Sequence, residues 1–182
     1  GDWSSDVCSS DLDVPNRTSV LYHDVDVGEA TPIKQHPYRV TPEKAKIMKN
    51  EIEYMLKNDI IQPSQSNWSS PCVLVPKSDG SMRFCTDYRK VNVVTKSDLF
   101  PIPRIEDCID KVGHSKYVTK CDMLKGYWCV PLTDRAREIS AFVTPDGFYE
   151  YKVMPFGMKN SAATYTRLVT KCIQGLEGVE AY

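Results

Sequence analysis

The sequence lacks several features that would point to a particular class of protein. Seven cysteines occur without a Cys-x-x-Cys pair and the three histidines are dispersed, so neither a zinc site nor a disulfide framework is indicated. No apolar run is long enough to span a membrane, and no signal-peptide layout is visible, so we expect no membrane partner. The net charge of −1 means that any nucleic-acid affinity must come from a local basic patch.

What the chain does contain is enough apolar sequence for a packed core. Hydrophobic residues make up 41% of its 182 residues, which is unlike a disordered chain. Residues 1–12 differ from the rest, because they contain a near-repeat of Ser-Ser-Asp and no core pattern. We interpret them as an artefactual, adapter-derived segment or a disordered terminus. Residues 13–40 are predicted to be extended.

Helical patterns occur in three places. Thr41 followed by Pro42 is typical of a helix start, and apolar residues at helical spacing continue to a stop near Asn58. The spacing of apolar residues predicts a second helix over 105–112. Ser161 is predicted to cap a third helix, with Tyr165, Leu168, Val169 and Cys172 on its apolar face and Gly175 after its end.

Strand patterns surround two Asp-Gly pairs. Asp79-Gly80 and Asp146-Gly147 each lie between apolar alternating runs, which predicts two hairpins with positive φ at both central residues of the turn. A further alternating run over 116–122 predicts a half-buried strand that ends at Asp122. Helices together with antiparallel hairpins indicate an α+β domain.

The carboxylate of Asp122 would be costly to bury without a partner, because it lies among Cys121, Met123 and Leu124. Three interpretations stay open from the pattern alone. The side chain could pair with a neighbouring lysine, act as a general base, or ligate Mg²⁺ together with a substrate phosphate. The last interpretation requires a further carboxylate from a distant strand.

Two other features can also be interpreted in more than one way. Tyr127 and Trp128 are either core aromatics or a ring that lies under a sugar or base. Lys77 and Arg83 are either a charged hairpin edge or groups that hold a triphosphate.

Taken in order, the motifs resemble a known family. The segments concerned are "SSPCVLVPKSDGSMRFCTDYRKVN", "FPIPRIEDCIDKVGHSKYVTKCDMLKGYWCVPL", "ISAFVTPDGFYEYKVMPFGMKNSAATYTRLV" and the terminal "VEAY". They are similar to the reverse transcriptase of gypsy-type LTR retrotransposons, over roughly residues 13 to 182. The resemblance implies the fingers and palm of a right-hand polymerase, with an antiparallel palm sheet backed by helices and no thumb. It also implies that residues 41–115 are mainly fingers and 116–182 mainly a truncated palm.

The resemblance implies a catalytic metal site. Asp122 matches the first of three aspartates that hold two Mg²⁺ ions, with Mn²⁺ as the alternative ion, for nucleotidyl transfer. The other two belong to a Tyr-x-Asp-Asp motif, whose tyrosine Tyr182 matches. Since the sequence stops there, we expect the 182-residue chain by itself to be inactive as a polymerase.

The resemblance also implies how a nucleotide and a template are bound. Lys77 and Arg83 match residues that grip the phosphates of the incoming nucleotide, and Tyr127 matches a steric gate against the ribose 2′-OH. Phe156 and Gly157 match positions that flank the nucleotide. The template strand is expected to lie along Trp68, Ser70 and Pro71.

We therefore expect a fragment of an RNA-directed DNA polymerase from a retrotransposon polyprotein. The expected partners are an RNA or DNA template with primer, deoxynucleoside triphosphates, and RNase H, protease and integrase segments of the polyprotein. A cytoplasmic retrotransposon particle is the expected location, with the nucleus as the alternative. The competing hypothesis is a non-catalytic nucleic-acid-binding remnant or a pseudogene translation.

Overall fold

The computed structural model describes residues 15–113 and 115–181. The predictions for residues 1–12 and for Tyr182 therefore lie outside the described residues. A five-stranded sheet organises the structure, in the spatial order β1-β5-β4-β2-β3. Its strands are β1 Ile61–Pro63, β2 Ser70–Pro76, β3 Met82–Thr86, β4 Phe142–Thr144 and β5 Gly147–Tyr151.

The sheet is mixed rather than wholly antiparallel. β2 and β4 pair in parallel, with Ser70 opposite Phe142, whereas the β1–β5, β4–β5 and β2–β3 pairs are antiparallel. β3 runs back along one side of β2, and the long, partly helical connection after it places β4 on the other side of β2, in the same direction as β2. The predicted α+β class is confirmed, and the sheet, predicted as antiparallel, is mixed because of this pairing.

Five helices accompany the sheet in the described part of the chain. They are α1 Pro42–Lys57, α2 Arg89–Val94, α3 Ile105–Gly113, α4 Asp134–Ile139 and α5 Ser161–Ile173, and a 3₁₀ helix covers Gly126–Cys129. The predicted start of α1 is confirmed, because the Thr41 hydroxyl accepts a hydrogen bond from the Lys44 backbone N–H. Asn58 is its C-cap, as expected.

Both hairpins form, but their turns differ from the prediction. In the β2–β3 hairpin only Gly80 has a positive φ, of 81°, because the connection spans residues 77–81 and is not a two-residue turn. In the β4–β5 hairpin, Thr144 pairs with Gly147, so Pro145 and Asp146 form the turn. The second turn therefore lies one residue earlier than Asp146-Gly147.

The beginning of α5 also needs a correction. Its N-cap is Asn160, in the left-handed region with φ 72°, and its side chain makes no capping hydrogen bond. Ser161 is the first helical residue and is buried, with its hydroxyl donating to the Pro155 carbonyl at 3.4 Å. The predicted apolar face is only partly right, since Leu168 is buried but Cys172 is exposed. Gly175 after the helix has a positive φ of 88°, as a C-terminal glycine should.

The core lies between α1, the sheet and the N-terminal segment. Large side chains that are fully buried include Tyr88, Phe142, Ile60, Ile61, Leu132 and Met154. The extended segment before α1 joins this core through backbone bridges from His23 to Leu132 and from Lys34 to Ser69. Because β4 and β5 share a sheet with β2 and β3, the proposed boundary at residue 115 does not separate two independent sheets.

The predicted strand over 116–122 is wrong. These residues have no regular secondary structure and their side chains are exposed. The alternation of residue types is real, but a strand needs a paired neighbour, and the described residues provide none for this stretch. The helix predicted over 105–112 does form as α3, yet Ile109 on its apolar face is 62% exposed.

No helix within the described ranges is long and apolar enough to cross a membrane.

Candidate functional site

Asp122 lies on an exposed coil, four residues before the 3₁₀ helix that begins at Gly126. Its carboxylate forms no salt bridge with Lys120 or Lys125 in the described structure. Burial raises the pKa of the Tyr165 hydroxyl, and the negative charge of Asp122 is one of the smaller contributions to that rise. Of the three interpretations of Asp122, pairing with a neighbouring lysine is not seen among the described residues. The cost of burying an unpaired carboxylate does not arise either, because Asp122 is exposed.

An aromatic cluster lies next to this coil. The ring of Tyr127, in the 3₁₀ helix, stacks on Phe156 at a centroid distance of 5.1 Å with an interplanar angle of 22°. Tyr165 of α5 also contacts this ring, with its ring centroid 5.2 Å from that of Tyr127. Phe156 is 52% exposed, so the stacked pair presents an aromatic surface to solvent. Burial raises the pKa of the Tyr127 hydroxyl, which therefore stays neutral at physiological pH.

Gly157 turns the chain directly after Phe156. Its φ of +89° is in the left-handed region, which favours glycine over any residue with a side chain. The Asn92 side-chain amide donates to the Gly157 carbonyl at 2.9 Å. A Cβ at this position would lie 3.7 Å from the Thr86 carbonyl, so the turn packs on the end of β3.

Lys77 and Arg83 lie on the β2–β3 hairpin and line a cleft of about 260 Å³ together with Val75, Ser78, Asp79 and Cys85. The hairpin loop is held by two features: Lys77 donates its backbone N–H to the Ser81 carbonyl at 2.8 Å, and Asp79 accepts hydrogen bonds from Ser81. Those bonds, with help from Lys77, lower the pKa of Asp79. Both basic side chains are exposed, and neither forms an ion pair in the described structure.

The three predicted template residues lie in the core and not on the surface. Trp68 is 7% exposed, Ser70 is fully buried, and Pro71 is among the fully buried side chains. Ser70 donates its backbone N–H to the Ala141 carbonyl at 3.0 Å, which anchors the start of β2 to β4. Their contact with a template stays a prediction, and in this structure their side chains are buried.

The structure therefore brings together one part of the predicted site. Asp122, Tyr127, Phe156 and Gly157 lie around the 3₁₀ helix, and Gly157 connects them to the end of β3. Arg83 lies three residues further along β3, which corresponds to about 10 Å of strand. Tyr182 lies outside the described residues. In the described ranges, no group of three or more His, Cys, Asp or Glu side chains is placed to hold a metal ion.

Sequence reasoning missed two residues that position this site. Lys125 has a left-handed backbone, with φ 44° and ψ 43°, just before the 3₁₀ helix. Its ammonium donates to the Tyr54 hydroxyl of α1 at 2.7 Å and lies 5.0 Å from the ring centroid of Trp128. Tyr165 is the second such residue. The sequence placed it on the apolar face of a helix, but gave no sign of its contact with Tyr127.

Comparisons with known proteins show the family to which the chain is similar. Residues 75–181 match the family model described as reverse transcriptase (RNA-dependent DNA polymerase). The chain is 32% identical over 166 residues to the retrovirus-related Pol polyprotein from transposon 297 of Drosophila melanogaster, covering 87% of this chain and 16% of the relative. It is 33% identical over 134 residues to the transposon Tf2-3 polyprotein of Schizosaccharomyces pombe, covering 74% of this chain and 10% of the relative.

Solved structures show the same fold. The protease-reverse transcriptase of prototype foamy virus superposes with a TM-score of 0.83 and 25% identity, covering 93% of this chain and 23% of that one. A foamy viral protease-reverse transcriptase in complex with RNA/DNA hybrid superposes with a TM-score of 0.78 and 21% identity, again over 93% and 23%.

The share of each sequence that these matches cover shows which part of its relatives the chain represents. The chain spans about a sixth or less of the polyproteins it matches. The family model covers more than half of the chain, and the fold agrees over nearly all of it. The chain therefore belongs to the reverse transcriptase family, and it corresponds to a segment of the reverse transcriptase domain of LTR retrotransposon polyproteins.

Proposed function

We propose that this segment forms the nucleotide-binding face of an RNA-directed DNA polymerase from a gypsy-type LTR retrotransposon. The observation that carries the proposal is the partly exposed stack of Tyr127 on Phe156, which Tyr165 links to the exposed coil of Asp122 through Met123. A flat ring surface connected to an exposed carboxylate suits a ligand that combines a sugar and base with metal-bound phosphates.

In this proposal the sugar of the incoming nucleotide lies against Tyr127. The ring is fixed from one side by Phe156, so it cannot turn away easily when a ribose 2′-OH approaches. A rigid ring excludes the additional hydroxyl by contact, while a deoxyribose fits. Gly157 keeps the backbone close to the nucleotide because it has no side chain.

The triphosphate is assigned to the β2–β3 hairpin. Lys77 and Arg83 line one cleft, and Arg83 can present two parallel N–H donors to a phosphate. Asp79 lies in the same cleft but is engaged by Ser81, which leaves the cleft with a net positive character. Basic side chains in such positions stabilise the charge that develops during phosphoryl transfer.

Asp122 is proposed to bind Mg²⁺, or Mn²⁺ as the alternative. Its exposed carboxylate, which forms no ion pair with a lysine among the described residues, fits one position in the ligand shell of a hard cation that takes its other ligands from water and phosphate. A bound divalent ion would neutralise phosphate charge and activate the attacking hydroxyl. The chain's own part is to hold Asp122 beside the aromatic cluster through Lys125 and Tyr165.

The proposed partners are a template with primer, since related solved structures are titled as complexes with RNA/DNA hybrid and double-stranded DNA. The template is proposed to lie along the start of β2, where Trp68, Ser70 and Pro71 would support the surface from inside the core. RNase H, protease and integrase segments are proposed for the polyprotein, and a cytoplasmic particle, with the nucleus as the alternative, for its location.

The triphosphate assignment is tested by nucleotide binding. A fluorescent deoxynucleoside triphosphate is titrated into the purified chain with Mg²⁺ and a primer–template. Replacing Lys77 and Arg83 together by alanine should weaken binding by at least about tenfold, because each removes a charge-assisted hydrogen bond. The matched control replaces Arg39 and Lys46, which are exposed and lie elsewhere. Equal affinity of both double variants and the unmodified chain would refute the assignment.

The sugar assignment is tested by comparing ribo- and deoxyribonucleotides. In the same assay, Tyr127→Ala should reduce the preference for the deoxyribonucleotide, since the ring that meets the 2′-OH is removed. An unchanged preference would show that the sugar does not lie against Tyr127. The assignment of the triphosphate to Lys77 and Arg83 would not be affected by that result.

A further inference from the structure

Tyr165 makes three contacts with the chain segment that begins at Asp122. Its hydroxyl lies 3.1 Å from the Met123 sulfur, to which it donates. Its ring centroid is 5.2 Å from that of Tyr127. Between these two residues, Gly126 packs so closely on Tyr165 that an added Cβ would lie 2.7 Å from the Cζ atom of the tyrosine.

These contacts matter because the segment has little other support. Residues 116–124 are exposed and have no regular secondary structure. α5, by contrast, is anchored in the core through Leu168 and through Thr164, whose hydroxyl lies 2.8 Å from Nδ1 of the buried His23. Tyr165 therefore connects a well-packed helix to a poorly packed coil, at the point where the candidate site lies.

The cluster also fixes Tyr127 from two directions. Phe156 stacks almost parallel to its ring, while Tyr165 meets it at an interplanar angle of 55°. A ring held by one stacked neighbour can still slide, whereas a second, tilted neighbour restricts that movement. Burial raises the pKa of Tyr165, and the carboxylate of Asp122 adds to the effect, so its hydroxyl stays protonated and available as a donor.

We propose that Tyr165 is a positioning residue that fixes the ring of Tyr127 and thereby sets how strictly the site distinguishes deoxyribose from ribose. The proposal rests on the proposed function of Tyr127 and extends it to a residue on α5 that acts through the ring of Tyr127. Gly126 contributes to the same positioning of Tyr127, because only a residue without a side chain lets Tyr165 approach this closely.

The first measurement is independent of any nucleotide. Fluorotyrosine is placed at position 127, and its ¹⁹F resonance is compared among variants of residue 165. Tyr165→Leu should shift and broaden the resonance, because the tilted neighbour is lost. Tyr165→Phe keeps that ring and should leave the resonance close to that of the unmodified chain. Tyr22→Leu is the matched control, since Tyr22 is exposed and lies outside the cluster.

The second measurement is the ratio of affinities for ribo- and deoxyribonucleoside triphosphates with Mg²⁺ and primer–template. Tyr165→Leu should reduce the discrimination roughly three- to tenfold, in keeping with the strength of an aromatic pair, while deoxyribonucleotide affinity changes less. Tyr165→Phe should restore discrimination to within about twofold. A purely structural role would instead weaken both affinities together and leave their ratio unchanged.

The outcomes separate this inference from the function on which it rests. If Tyr127→Ala alters the discrimination but Tyr165→Leu leaves both the resonance and the ratio unchanged, the positioning role is refuted and the proposed function stands. If Tyr127→Ala leaves the discrimination unchanged, the proposed function of Tyr127 fails. In that case, a shifted ¹⁹F resonance in Tyr165→Leu would still show that Tyr165 contacts Tyr127, but the role of Tyr165 in sugar selection would be refuted.

Discussion

The sheet and the stretch that carries Asp122 differ in how they are packed. In β4, Phe142 is fully buried and its ring meets those of Phe84, Tyr149 and Tyr151. Between residues 101 and 124, no described side chain is fully buried. The exposed stretch does contain large apolar side chains, among them Ile105, Ile109 and Leu124, so the presence of apolar residues alone does not explain the difference. What differs is the number of elements that converge on each.

A local pattern of apolar residues leads to a buried helix or strand only where another element packs over it. The hairpin β2–β3 forms because Phe84 packs on Phe142 of a neighbouring strand. α3 has an equally clear apolar face, but in the described structure nothing buries it. The candidate site lies at the junction, where Tyr165 and Lys125 attach the exposed coil to α5 and α1.

Hydrogen exchange should show the largest difference between the two regions. The amides of residues 116–124 should exchange close to their intrinsic rates, since they belong to no ladder or helix. Amides in β2 and β4 should require opening that approaches global unfolding, which is several kcal/mol for a domain of this size. Mass spectrometry of peptides from both regions measures this. Strong protection of 116–124 would show that the stretch is a paired strand in solution.

Truncation of side chains should give the next largest contrast. Phe142→Ala removes a fully buried ring and should lower the free energy of unfolding by about 3–5 kcal/mol. Ile109→Ala in α3 should change it by less than about 0.5 kcal/mol, because the side chain is already mostly in solvent. Urea unfolding of both variants tests this. A large loss in the Ile109 variant would reveal a partner that covers α3.

Much of the sheet region could be predicted from sequence, because its signals are local. Thr41 and Gly80 mark a helix start and a hairpin, and both occur where the signals indicate. The strand predicted at 116–122 failed because a strand depends on its partner as well as on alternation. The parallel contact between β2 and β4 leaves no local trace in the sequence at all.

The candidate site was predictable only in part, for the same reason. The motifs suggest Asp122, Tyr127 and Phe156 by resemblance, but they do not tell which side chains are exposed. Trp68 illustrates this, since a residue predicted to face a template is in the core. Tyr165 is distant in sequence from Tyr127, and only the packing of α5 on the 3₁₀ helix brings their rings together.

Acid should destabilise the packed region through His23. Burial lowers the pKa of His23 from 6.5 to about 4, against the opposing effect of Asp24 and Asp98. Between these values the unfolded chain binds more protons, so stability is lost as the pH falls. We expect a loss of about 2–3 kcal/mol between pH 7.5 and 4.5.

The measurement is urea unfolding at both pH values, with the change in stability compared between variants. His23→Gln should reduce the dependence on pH, even if it lowers stability throughout. His36→Gln is the matched control, because His36 is exposed. If the two variants depend on pH equally, the buried imidazole is not the group responsible.

The smallest contrast concerns two glycines, one at the junction and one in the exposed region. Gly126→Ala should cost roughly 1–3 kcal/mol, because the new methyl group overlaps Tyr165 and must displace it. Gly113→Ala, in the last turn of α3, meets no atom within 4 Å and has no positive φ. It should be neutral or stabilise the protein by up to about 1 kcal/mol, since alanine restricts the unfolded chain.

Urea unfolding measures both changes, and the ¹⁹F resonance of fluorotyrosine at position 127 reports whether Gly126→Ala also disturbs the cluster. If Gly126→Ala is as harmless as Gly113→Ala in both measurements, α5 does not hold the Asp122 segment in solution, and the junction must be as loosely packed as the coil it joins.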